Sequence, residues 1–167
     1  NLLLQKNSKN QKKTKKKYIV YLDVGVPYYH GDILARRREA LIVNVKNFYK
    51  DLNLYFDQVE KIFRAKVIVI PHSKYKITKL KNKNLNPYFN NRLSDNSYDA
   101  AAKLIPKCLF IISHGSTALS FAIINYKPMH LLITKSYNYR PKNEIKDIFM
   151  QAKILGIKTI DFVNFKK

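Results

Sequence analysis

Short, almost unbroken apolar runs alternate along the chain with stretches of helical periodicity and with polar turns. The runs cover residues 18–24, 66–71, 108–113, 129–133 and 158–163. Each is rich in Ile, Val or Leu and is bounded by turn residues, the pattern of strands buried on both faces. After the first run, a loop over 25–31 with Pro27 and His30 leads to Asp32, which is placed to cap a helix. Apolar residues then recur at Leu41, Val45, Phe48, Leu52, Phe56, Val59 and Phe63, steps of four and three that make one stripe of a long helix ending near Phe63. Further helices are expected over 98–105, with Ser97 as cap, over about 117–124, and over about 143–155, where Gly156 stops the last. Residues 74–97 are polar, with Tyr88-Phe89 as their apolar anchor, and read as a long irregular excursion.

Strand and helix thus alternate, which predicts an α/β domain with a mainly parallel sheet covered on both sides. In such sheets ligands lie beyond the carboxyl ends of the strands. The loops expected there bring His30, His72-Ser73, Ser113-His114-Gly115-Ser116-Thr117 and Thr134 to one rim. The Ser113–Thr117 turn stands where a helix begins, so free backbone N–H groups and the helix dipole favour an anion. Ser116 and Thr117 add hydroxyls, His114 an imidazole, and Gly115 allows close backbone approach. His130, inside a core run, reads as an interior histidine, and Arg36-Arg37-Arg38 as a solvated face.

Composition narrows the partners. The 167 residues carry 32 basic and 11 acidic side chains, a formal charge of +21, so anions are favoured. Residues 1–17 hold seven of the lysines and no acid, and read as a flexible basic linker or tail before a domain over 18–167. The chain opens at Asn1, and a piece of a longer protein is expected. Cys108, the single cysteine, allows no internal disulfide and suits a reducing cytoplasm. No apolar run reaches the ~20 residues of a membrane span.

Several chemistries find no pattern here. His-x-x-x-His and Cys/His pairs are absent and the acids do not cluster, so no metal is expected. There is no Gly-x-x-x-x-Gly-Lys loop and no Gly-x-Gly-x-x-Gly. Ser116 as a hydrolase nucleophile would need a second glycine, and Ala118 stands there.

Pro71-His72-Ser73, then an Ala/Leu-rich helix, a buried run, His114-Gly115-Ser116-Thr117-Ala118 and finally Lys127-Pro128 together resemble one known pattern. It is the nucleotide-binding C-terminal half of GT-B glycosyltransferases of bacterial capsule and lipopolysaccharide assembly, including bacterial sialyltransferases. The resemblance spans residues 18–163. It implies a Rossmann-like three-layer domain with about five or six strands, half of a GT-B fold. His72 would be the catalytic group, holding the leaving phosphate, and Ser116 and Thr117 the phosphate-binding hydroxyls. Ser73 stands where that family has proline, and no acid in the helix after Thr117 matches its ribose ligand.

The expected partners are then a CMP-, CDP- or UDP-linked sugar donor, a polysaccharide or lipid-linked acceptor, and an N-terminal acceptor domain outside this chain. No cofactor or metal is required, and the basic surface suits peripheral contact with acidic lipid at the inner face of the membrane. The rival reading is a basic nucleic-acid-binding module that uses Lys6–Lys17 and tyrosines such as Tyr28 and Tyr29. No specific nucleic-acid motif supports it.

Overall fold

The computed structural model describes residues 17–25, 44–72, 85–94, 99–133 and 142–165, the last range without the side chains of 142–145. Its five strands are β1 (Tyr18–Leu22), β2 (Lys66–Ile70), β3 (Ile111–Ser113), β4 (Met129–Ile133) and β5 (Thr159–Asp161). The helices are α1 (Val45–Phe63), α2 (Ala100–Leu104), α3 (Leu119–Ile124) and α4 (Lys142–Ile154), with 3-10 turns at Asn86–Phe89 and Ile105–Lys107. All strands are parallel, in the order β2-β1-β3-β4-β5. This is the expected α/β class.

Alternation along the strands sorts the core into two layers. Ile19 and Tyr21 of β1, Val67 and Val69 of β2, Ile112 and Leu132 face α1, whose Phe48, Leu52, Phe56 and Val59 close that side. Val20, Leu22, Ile111, Leu131 and Ile133 face the other side, closed by Ile105, Leu119, Ala122, Ile148 and Ala152. Full burial of each large side chain contributes roughly 1.5–3 kcal/mol, so the α1 stripe is the main anchor of its layer.

Helix α1 keeps the expected end at Phe63, and Asn44 caps its start by accepting the Asn47 N–H at 3.0 Å. The expected Asp32 cap lies outside the described residues, and the helix begins later than the stripe from Leu41 predicts: Asn44 is extended, so α1 starts at Val45. Asn53, a break in the apolar stripe, is buried within the helix. Its amide donates to Tyr49 O at 2.8 Å and to Tyr88 O at 2.7 Å, tying α1 to the 3-10 turn.

That turn corrects the reading of 74–97 as an irregular excursion. Leu85 and Phe89 are fully buried, and Leu93 makes a parallel bridge to Val69. Val69 N–H donates to Arg92 O, and Ser94 N–H to Val69 O, each at 2.8 Å. With this bridge counted as a strand position, the chain order across the sheet becomes 3-2-1-4-5-6, that of dinucleotide-binding sheets.

His130 lies on β4, half-buried against Phe110 with ring centroids 4.8 Å apart. Its Nδ1 has no hydrogen-bond partner among the described residues, so it is an interior histidine that is not fully satisfied. Burial holds its pKa below the ordinary 6.5. As pH falls, the unfolded chain takes up the proton first, so stability is expected to drop on acidification from 6.5 toward the lower folded value. Urea midpoints measured on both sides of that value check this, and His130→Leu should remove this part of the slope.

Candidate nucleotide site at the sheet switch point

The connection from β1 to β2 runs through α1 on one face, and that from β3 to β4 through α3 on the other. The chain therefore diverges between the carboxyl ends of β1 and β3, the switch point at which open α/β sheets hold ligands in a crevice. Both lips carry a glycine with positive φ, Gly25 at 69° and Gly115 at 90°. At such angles an L side chain is strained, which favours glycine at both turns.

The β1 lip is built on Asp23, a residue the sequence reading absorbed into an apolar run. It is only 5% exposed. Its N–H donates to Ile70 O at 3.1 Å, and its Oδ1 accepts the Gly25 N–H at 3.1 Å. The available signal was an acid at the end of the central strand, two residues before a glycine. Asp23 thus shapes the turn that begins the crevice.

On the β3 lip the polar turn divides into core and surface. Ser113 is fully buried, and its hydroxyl donates to Leu22 O at 3.2 Å, tying β3 to β1. His114 is also fully buried. Its ring sits among Tyr21 at 5.8 Å, Phe48 at 5.8 Å and Phe162 at 5.3 Å between centroids. Its Nδ1 is 2.9 Å from the Tyr21 hydroxyl. Both residues were expected to meet ligand; both side chains are instead fully buried, Ser113 against β1 and His114 among the aromatic rings.

Gly115 then turns the chain to the other face. A Cβ there would make ordinary contact with Ile148 Cγ1 and Gln151 Oε1 of α4, at 3.4 and 3.5 Å, so it is the positive φ that favours glycine. Ser116 is half-buried and its Oγ accepts the Ala118 N–H at 3.2 Å, while Thr117 is exposed. Helix α3 starts at Leu119 and has six residues, not the longer helix from Thr117 that was expected. Its dipole is correspondingly small. The backbone donors at this lip are therefore those of the turn itself. None of the backbone hydrogen bonds among the described residues uses the N–H groups of Gly115, Ser116 or Thr117.

His72 is half-buried just past β2, on the same rim as Asp23 and the Gly115 turn. β2 and β3 flank β1, so roughly 10 Å separates their backbones. Ser73, His30 and Thr134, and also Arg36–Arg38, lie outside the described residues. No group of three or more His, Cys, Asp or Glu that could hold a metal occurs among the described residues.

A cavity of ≈ 720 Å³ opens elsewhere, beside the edge strand β2, with Glu60, Arg92, Ser94 and Lys103 in its wall. Arg92 and Glu60 pair with each other there at 3.0 Å, so its two strongest polar groups are already committed. The switch-point crevice is the better candidate for a phosphate ligand. Among known proteins, no family model, no curated protein and no solved structure matches this chain.

Proposed function

We propose that this domain binds a nucleotide in the crevice between β1 and β3 and acts as the donor half of a glycosyltransferase using a nucleotide-activated sugar. The carrying observation is the pair of positive-φ glycines, Gly25 and Gly115, on the two lips of the switch point. The strand order and the N–H groups of the Gly115–Thr117 turn support the same reading. In this reading those N–H groups and Thr117 hold the phosphates, and His72 adds a donor from β2. They stabilise the charge that grows on the leaving nucleotide as the sugar bond breaks, which is electrostatic catalysis without a protein nucleophile. The acceptor and its general base belong to a separate domain, so this domain alone binds donor and turns over little.

Thr117→Asp tests the site sharply. The residue is exposed, and an acid before a helix start leaves stability unchanged or slightly raised. A carboxylate beside the phosphates should weaken nucleotide binding about tenfold or more. Calorimetric titration with CMP, CDP and UDP, alongside a thermal melt, measures both. Wild type that binds none of the three, or a variant that binds as well as wild type, overturns the reading. Salt-sensitive binding of single-stranded oligonucleotide in place of nucleotide would favour the basic-module reading.

A further inference from the structure

The opposite edge of the sheet has its own chemistry. In this fold α1, α3 and α4 run against the strands, so their C-terminal ends meet the strand entrances at the edge away from the crevice. Large apolar side chains stand in water there. Ile124 is 72%, Tyr126 95% and Ile154 78% exposed, at the ends of α3 and α4, and Ile62 at the end of α1 is also exposed. Exposed cations share this edge: Lys17 before β1, Arg64 and Lys66 at β2, Lys107 before β3, and Lys153 and Lys158 before β5. No acid occurs in residues 17–22, 61–67, 105–111, 123–129 or 153–158. Glu60, next to this edge, is held by Arg92 and by the Val67 N–H.

Helix dipoles account for a cation near each helix end. They do not account for Lys17 and Lys66 at strand starts, nor for isoleucines in water. A shallow hollow of ≈ 300 Å³ lined by Lys17, Arg64 and Lys66, with Glu60 and Ala65, adds a concave cationic spot on the same edge. Apolar tips and lysines along one edge complement one surface in particular: anionic headgroups over acyl chains.

From this juxtaposition we infer that the strand-entrance edge docks on an anionic lipid bilayer. Ile124, Ile154 and Tyr126 enter the headgroup–acyl boundary, and the lysines meet lipid phosphates. Five-residue strands place the crevice about 15–20 Å away, on the side facing water. Docking and nucleotide binding are therefore separable, and the inference stands apart from the proposed function. Among the described residues no helix is long and apolar enough to cross a membrane, so the attachment is at the surface.

Vesicle flotation tests it, with phosphatidylcholine alone against phosphatidylcholine mixed with phosphatidylglycerol. Wild type should float with the mixed vesicles only. Neutralising three lysines together (Lys107→Gln, Lys153→Gln and Lys158→Gln) should weaken partitioning about a hundredfold. Replacing Ile124, Tyr126 and Ile154 together by serine should weaken it about tenfold or more. All six positions are outside the core, and thermal melts verify the fold. Because the chain has no tryptophan, Tyr126→Trp gives a single reporter whose emission should shift to the blue on the mixed vesicles. Thr117→Asp should float like wild type. The inference fails if wild type ignores the mixed vesicles or if the emission of the Tyr126→Trp variant stays unmoved. It fails equally if the edge variants bind as wild type, which would assign the attraction to residues 1–16, or if the serine variant is unchanged while an oligonucleotide displaces the vesicles.

Discussion

Arg92→Ala is expected to lower the unfolding free energy by about 2–4 kcal/mol, below the upper range for a fully buried ion pair because Glu60 is partly wet. The Arg92 side chain is 11% exposed and that of Glu60 23%. Its Nη1 donates to Asn53 Oδ1 at 3.0 Å, and its Nε and Nη2 to the Glu60 carboxylate at 3.2 and 3.0 Å. Nη2 also reaches Asp57 at 2.6 Å, but Asp57 is 57% exposed, so that pair adds little. The guanidinium lies 5.8 Å from the Phe56 ring centroid. Without Arg92, Glu60 keeps only the Val67 N–H, at 2.7 Å, as a hydrogen-bond donor among the described residues. The loss also loosens the segment that places Leu93 beside Val69, the sixth position of the sheet.

The pH dependence of this effect has a definite sign. Burial alone would raise the Glu60 pKa; hydrogen bonds from Arg92 and Val67 and the charges of Arg92 and Lys66 outweigh it and hold the carboxyl below its ordinary 4.5. A depressed carboxyl pKa stabilises the fold above the unfolded value, and the contribution is lost as pH falls through the folded one. Urea midpoints of wild type and Arg92→Ala should therefore differ most near neutrality and converge in acid. The double variant Arg92→Met with Glu60→Gln should be less destabilised than the two single changes added, because it leaves no half-buried charge alone.

The elements held by many equivalent apolar contacts were legible in the sequence. β4 occupies the expected 129–133, α1 ends at Phe63, and the doubly covered parallel sheet follows from runs with no polar face. The sixth position at Leu93 was not legible, because one bridge leaves no alternation to read. Arg92 beside it also reads as solvent-facing until its partners, 32 to 39 residues away, are known. Within the turn, Ser113 and His114 look like ligand groups because polar residues at a strand end usually face outward. His114 is buried by Phe48 and Phe162, and Ser113 is tied to Leu22 O of β1, partners far away in sequence and placed only by the fold. Asp23 shows the converse: an acid that seemed part of a strand forms the turn at the crevice.

His114→Ala separates the two roles that the turn combines. It empties the space among Tyr21, Phe48 and Phe162 and removes the 2.9 Å contact with the Tyr21 hydroxyl. Loss of a buried ring on this scale costs about 3 kcal/mol, and the lost hydrogen bond roughly 1 more. His114→Phe refills the cage but not the hydrogen bond, and is expected to regain more than half of that loss. Neither change alters a group assigned to the phosphates, so nucleotide affinity per folded molecule should stay within about twofold of wild type, against the tenfold or greater loss expected for Thr117→Asp. Melting temperature and calorimetric titration on the three variants give both readings. If His114→Ala instead abolished nucleotide binding while melting like wild type, the imidazole would have to reach the ligand, and its place in the aromatic cage would not describe the working protein.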